Sequence, residues 1–428
     1  MKLWDKGYSA AQWVEKFTVG NDRILDLKLA KYDVQASKAH AQMLQKIDVL
    51  SQEELDKLIT TLDEIQQSIE AGSFVIEEGF EDMHSKIEYL LTENTGDAGK
   101  KIHTARSRND QVLVALHLYV KEEIKQIKTV MYRLFDTLLQ LAEKHKTVLL
   151  PGYTHLQMAM PSSFGMWFSS YAESMIDDLI LLETVAQVAD QNPLGSAAGY
   201  GTSFPVDRSY TTELMGFKIL KYNAVAAQMS RGKLEKTLAF ALASVSGTLS
   251  KMASDIILYM SPNFGFLSFP REFTTGSSIM PHKQNPDVFE LLRGRSNKIQ
   301  SLPAEIILMT NNLTSGYHRD FQLLKESLMR SVEEVKENLT VLCDILPEAQ
   351  PTPDILEQKM YDPLFSVETA NQLVLNGMPF RDAYKKVGKE LTDGSFSPQK
   401  NIQYTHEGSI GNLCLEEIRE KWKMYEKC

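Results

Sequence analysis

Apolar residues recur every three or four positions over long stretches of this chain. Val120, Ile124, Ile127, Met131, Leu134, Leu138 and Leu141 form one such stripe, inside a run from Gln111 to Leu150 that holds neither glycine nor proline. The spacing predicts a single helix, roughly 60 Å long at about 1.5 Å per residue. Its opening, Val112-Leu113-Val114-Ala115-Leu116, is apolar nearly all round, so it needs neighbours on several sides. Similar runs cover 166–192, 233–260 (with Gly247 inside), 288–314 (with Gly294 and Pro303 inside) and 317–346. Five long helices in one region predict an elongated bundle, and no strand-like alternation of useful length competes with it. A lone bundle with extra apolar faces would be sticky, which predicts a homo-oligomer.

The flanks have a different texture. Ser51-Gln52-Glu53-Glu54 reads as a capping box, Leu55, Leu58, Leu62, Ile65 and Ile69 follow at helical spacing, and Gly72 offers a stop. In the acidic passage Glu77–His84, Asp82 is expected to cap the next helix rather than to share a metal with His84. After Pro347, Pro351-Thr352-Pro353 reads as a linker into a small C-terminal domain, where Pro379 fits a helix first turn. The fold class is therefore all-α, with three domains at 1–105, 106–350 and 351–428.

Composition narrows the function. The net charge is −10 and no basic block is present, which argues against a nucleic-acid partner. Met1-Lys2-Leu3-Trp4-Asp5-Lys6 has no apolar core of signal-peptide length, and no later window suits a bilayer. Cys343, Cys414 and Cys428 are widely spaced and odd in number, so they form neither a metal pattern nor a disulfide framework. A reducing cytoplasm is the expected location.

Chemistry gathers at the ends of the long runs. Thr104-Ala105-Arg106-Ser107-Arg108-Asn109-Asp110-Gln111 opens the first, with two guanidiniums beside a helix N-terminus, either as an anion site or as an elaborate cap. Pro151-Gly152-Tyr153-Thr154-His155-Leu156-Gln157 turns the chain after it. Pro193–Gly201 is a glycine loop without the strand-then-helix setting of a nucleotide fold. Within 274–290, Gly276-Ser277-Ser278-Ile279-Met280-Pro281-His282-Lys283-Gln284-Asn285-Pro286 is a breaker-rich loop carrying hydroxyls, an imidazole, an ammonium and an amide.

Gly-Ser-Ser-x-Met-Pro-x-Lys-x-Asn-Pro resembles the signature loop of the fumarase/aspartase superfamily. Together with Ser-Arg-Asn-Asp-Gln, Pro-Gly-Tyr-Thr-His-Leu-Gln, Pro-Leu-Gly-Ser and the late Gly-Met-Pro-Phe-Arg, the order resembles the argininosuccinate lyase family over roughly residues 15 to 415. That resemblance implies a homotetramer whose central helices pack into one core, with each active site shared among three chains. It implies reversible cleavage of argininosuccinate to arginine and fumarate, the last step of arginine biosynthesis, without a metal or organic cofactor. Ser277 would be the base, stabilised by Lys283, and His155 with Glu290 the acid side. Ser107, Arg108, Asn109, Thr154, Asn285, Tyr317, Gln322 and Lys325 would bind substrate. The chain departs from the family pattern at Leu323-Leu324, at His282 and Gln284, and at Leu3-Trp4-Asp5-Lys6-Gly7; Asp22 matches a substrate-side position loosely. Two rivals stay open on this reading: a superfamily enzyme acting on another succinyl adduct, and a non-catalytic protein on the same fold, as in lens crystallins.

Overall fold

The long apolar stripe folds as its spacing dictates. In the computed structural model, which describes residues 12–400, 402 and 404–426, the helix Arg108–Lys144 runs unbroken for 37 residues. That makes it about 55 Å long. Val120, Ile124, Ile127, Met131, Leu134 and Leu138 are all buried along it. The N-terminal Leu3-Trp4-Asp5-Lys6-Gly7 and Cys428 lie outside the described residues.

Helices Phe164–Ala189, Lys233–Met260 and Leu324–Ile345 account for three more of the expected long elements. The expected helix over 288–314 is instead two, Asp287–Ile299 and Leu302–Thr310. Pro303 explains the break: it has no N–H to give, and its ring would collide with the carbonyl four residues back. The last long helix also begins late, because Arg319–Leu323 winds more tightly as a 3₁₀ segment.

The chain divides into two units. The first comprises 1–126, 181–243 and 301–333, and the second 127–180, 244–300 and 334–428. In the first, Ser51 and Glu54 close the capping box of helix Gln52–Glu70, whose Leu55, Leu58, Leu62 and Ile65 are buried. Asp82 caps helix Met83–Thr95 by accepting from the Ser85 amide at 2.8 Å. Capping is thus what Asp82 does, while His84 pairs with the carboxylate of Asp33 at 2.9 Å.

The second unit corrects the expectation of no strand. Leu149–Thr154 and Gln157–Ser163 form an antiparallel hairpin. Its turn is His155-Leu156, both left-handed at φ +54° and +56°. Hairpins favour such mirror-image turns because their twist matches the strands, but they usually place asparagine or glycine there. Without that cue, the half-exposed strands gave no readable alternation. The proline linker is also partly ordered, since Gln350–Pro351 pairs with Leu267–Ser268. Beyond it, Pro379 leads into helix Phe380–Asp393, and a small core forms from Ala370, Ala383 and Val387. No helix among the described residues is long and apolar enough to cross a membrane, and no group of three or more His, Cys, Asp or Glu is placed to hold a metal ion.

Candidate active site

A polar cavity of about 110 Å³ in the first unit collects five of the expected substrate-binding residues: Arg108, Asn109, Tyr317, Gln322 and Lys325. Acidic side chains share the same walls. Lys325, only 4% exposed, lies 2.8 Å from Asp22 and 2.7 Å from Asp26. Burial disfavours its charge, yet Asp26 and Asp22 outweigh burial and hold the ammonium above its ordinary range. Gln322 donates its amide to the carbonyls of Thr18 and Val19, which fixes the segment before Lys325 against helix Gln12–Val19.

Arg108 faces the cavity with one nitrogen shared between Glu81 and Asp82, each at 2.8 Å. Burial would raise the Asp82 pKa, but His84 and Arg108 hold it down at about 2. For His84 burial opposes the charge, and Asp33, with Asp82 and Asp26, overcomes it and raises the pKa. The cavity is thus built from matched ions, which keeps charge inside without the full penalty of desolvation. Of the four carboxylates in this wall, the sequence singles out Asp22 and Asp82 but not Asp26 and Glu81. Asp26 and Glu81 flank apolar residues without periodicity, and the His84–Asp33 pair bridges 51 positions of chain.

Ser107 sits at the mouth of the long helix. Its hydroxyl accepts from the Asn109 amide at 3.2 Å, and its own amide donates to Asp110 at 2.9 Å. Asp110 does more than cap. Its other oxygen accepts the amides of Gly195 and Ala197 at 3.0 and 2.9 Å, so the glycine loop is tied to the helix start. Glycine is required at 195: φ is +82°, and a Cβ would lie 2.8 Å from Cγ of Arg208. Burial pushes the Asp110 carboxyl up to about 6, despite those amides and Arg106. Among the described residues no arginine hydrogen-bonds to Asp110, whose partners are the backbone amides of Ser107, Gly195 and Ala197.

The signature stretch lies in the second unit, as a hairpin rather than an open loop. Thr275–Gly276 pairs with Gln284–Asn285, closing residues 277–283 into a tight excursion. Asn285 reinforces it by donating to the Thr275 hydroxyl and the Gly276 carbonyl, both at 3.4 Å. Thr275 in turn donates to Asp287, at the start of helix Asp287–Ile299. At the mouth, the Ser277 hydroxyl oxygen accepts two backbone amides, from Ile279 at 3.4 Å and Met280 at 3.1 Å. Such converging N–H groups favour negative charge on the oxygen they face. Lys283 is exposed, and Glu290 lies exposed in the first turn of the helix that follows.

Thr154 and His155 occupy the exposed tip of the other hairpin. The backbone at His155 is left-handed, at a cost of about 1 kcal/mol. Among the described residues, no hydrogen bond or ion pair joins His155 to Glu290, Ser277 or Lys283 of the same chain. The cavity and Ser107 belong to the first unit, and the Ser277 hairpin and the His155 tip to the second.

Comparison with known proteins decides the family. The family model described as Lyase matches residues 9–301. The chain is 54% identical over 417 residues to an argininosuccinate lyase of Bacteroides fragilis, covering 97% of this chain and 93% of that one. The chain belongs to the argininosuccinate lyase family. A second member, from Parabacteroides distasonis, is 53% identical with coverage of 97% and 94%. In the solved structure of EDDS lyase in complex with formate, the likeness is one of fold, with a TM-score of 0.80 at 19% identity, over 98% of this chain and 91% of that one. As a member of the argininosuccinate lyase family, the chain is a lyase of the fumarase/aspartase superfamily.

Proposed function

We infer that this chain cleaves argininosuccinate reversibly to arginine and fumarate through Ser277 as base, with its site completed by neighbouring copies in a homotetramer. The observation that carries the reading is the Ser277 hydroxyl under the amides of Ile279 and Met280, on a hairpin that also bears Lys283 and Asn285. A serine hydroxyl is far too weak an acid to lose its proton unaided, so its anion needs oriented donors and a nearby cation. The two amides are the donors, and Lys283 supplies the cation.

Ser277 takes the proton from the carbon beside a succinyl carboxylate. Lys283 and Asn285 hold that carboxylate as negative charge builds on it. His155, oriented by Glu290 of another copy, protonates the departing nitrogen directly or through a water. Thr154, Ser107, Arg108 and Asn109 bind the substrate, and Tyr317, Gln322 and Lys325 contact its amino-acid end. No metal or organic cofactor enters any step.

Two features support sharing between copies. Ser107 precedes and His155 follows a single 37-residue helix about 55 Å long, and antiparallel neighbours bring opposite helix ends together. Phe240 and Leu308 are 51% and 73% exposed on the helices Lys233–Met260 and Leu302–Thr310, as expected of faces that a partner covers. The protomer would then comprise three domains, 1–105, 106–350 and 351–428, with the central helices of four copies forming one core in the cytoplasm. The deciding experiment adds argininosuccinate to purified protein and follows fumarate absorbance. Silence with argininosuccinate, together with a signal from malate, aspartate or adenylosuccinate, overturns the assignment.

A further inference from the structure

The tip of the His155 hairpin is open: Thr154, His155, Leu156, Gln157 and Met158 are all exposed. Tyr153, half-buried, is the last anchored side chain before it. Its ring meets Phe264 edge to face, with centroids 5.9 Å apart and planes at 71°, and lies 6.4 Å from Phe266. Edge-to-face packing sets a positive ring edge against a negative face, so it fixes an angle as well as a distance. Strand pairing slips between Pro151 and Tyr153, a bulge that bends the hairpin at its neck. The bed under Tyr153 is built just past helix Lys233–Met260. There the Gly265 amide donates to the Ser261 carbonyl at 2.8 Å, and the Phe266 amide to the Tyr259 carbonyl at 3.0 Å. Gly265 is left-handed at φ +58°, the conformation that commonly ends a helix. Phe266 is fully buried, 5.4 Å from Phe264 and 6.2 Å from Tyr361 of the segment Lys359–Phe365. Phe264 is half-buried, so it meets Tyr153 without carrying the core. All these aromatic residues belong to the second unit.

We propose that Phe264 is a positioning residue for His155, its ring holding Tyr153 and so the imidazole beyond it at the angle that proton transfer needs. This rests on the role proposed above for His155. Phe264 touches no substrate in this role; it acts through Tyr153. A hairpin tip without side-chain support is free to swing about its neck, and a displacement of about 1 Å near reacting groups costs on the order of a hundredfold in rate. Fixing Tyr153 limits that swing. Tyr153 pairs with Met158 and Thr154 with Gln157, which leaves only His155 and Leu156 in the turn. Leucine at 264 would fill much of the same space but has no ring to set the angle, whereas tyrosine keeps the ring.

Hydrogen exchange of the intact protein, read by mass spectrometry on peptides spanning 149–163, tests the contact without turnover. In Phe264→Leu the hairpin amides should exchange about fivefold faster, the scale of one edge-to-face contact, while peptides elsewhere in the second unit keep their rates. In steady state, kcat for argininosuccinate should fall about tenfold with KM changed less than about twofold, because the loss falls on proton transfer and leaves binding alone. Phe264→Tyr should restore both measures. Unchanged exchange in Phe264→Leu, a loosened hairpin with kcat intact, or no rescue by Phe264→Tyr overturns the proposal. Faster exchange across the whole unit also overturns it, since that would assign Phe264 to the core. Wild-type silence toward argininosuccinate would instead remove the underlying function, so the two failures are told apart.

Discussion

The Met280 amide donates to the Ser277 hydroxyl at 3.1 Å, across a turn closed by strand pairing on either side. The donor belongs to the backbone, so side-chain substitutions nearby leave it in place. Ser277→Ala should therefore remove the base alone. Turnover is expected to fall by at least about a thousandfold with the assembly unchanged, since the residue is a nucleophile for protons and no part of the core. Fumarate release and sedimentation of the same sample check both halves, and retained activity strips Ser277 of the role.

Sharing of sites makes its own prediction. Ser277→Ala chains and His155→Ala chains are each expected to be inactive. Unfolded and refolded together, they should regain a fraction of wild-type activity, because some sites draw both intact residues from different copies. Mixed assemblies, verified by differently tagged chains, that stay inactive would speak for sites built within one chain.

Arg231 and Glu235 form a buried ion pair at 2.7 Å, and Arg231 also donates to the Phe321 carbonyl at 2.7 Å. Arg231→Met leaves Glu235 charged and unpaired in the interior. The expected loss is about 3–5 kcal/mol. Arg231→Met combined with Glu235→Leu should recover much of it, because the stranded charge is gone. Thermal unfolding of the single and double variants measures the difference; equal losses in both would place the cost in packing rather than charge.

His117 is fully buried, donating from Nδ1 to the Ala189 carbonyl at 2.8 Å, and burial depresses its pKa to about 4. The unfolded chain takes up this proton first, so the stabilising contribution is complete above pH 6.5 and disappears as pH falls toward 4. The amount is roughly 3 kcal/mol. Asp110, pushed up to about 6, acts in the opposite sense, with stability lost as pH rises toward 6. The clean readout is therefore the difference between wild type and His117→Asn, measured as Tm from pH 7 to 4. The variant should lose less stability on acidification; parallel curves would exclude His117 as a source of acid sensitivity.

Residues whose roles depend on near neighbours were readable in the chain. Ser51 with Glu54, Asp82 with Ser85, and Gly72 each act within a few positions, where backbone geometry leaves few options. Tyr317, Gln322 and Lys325 were expected to work together and do share one wall. The hairpin at His155 is not legible in the chain, since its turn uses residues that turns seldom use. The break before Pro303 was present in the letters but outweighed by the apolar pattern around it.

By itself the sequence determined the helical class, the long stripe from Val120 to Leu141 and the segments that carry chemistry, because periodicity and capping are local consequences of side-chain shape. Only the tertiary structure decided which charges meet. Lys325 reaches Asp22 and Asp26 across some 300 residues, and Asp110 gathers amides from a loop 85 positions away. Buried ions must find partners wherever packing brings the chain together, and no spacing along the chain encodes that meeting.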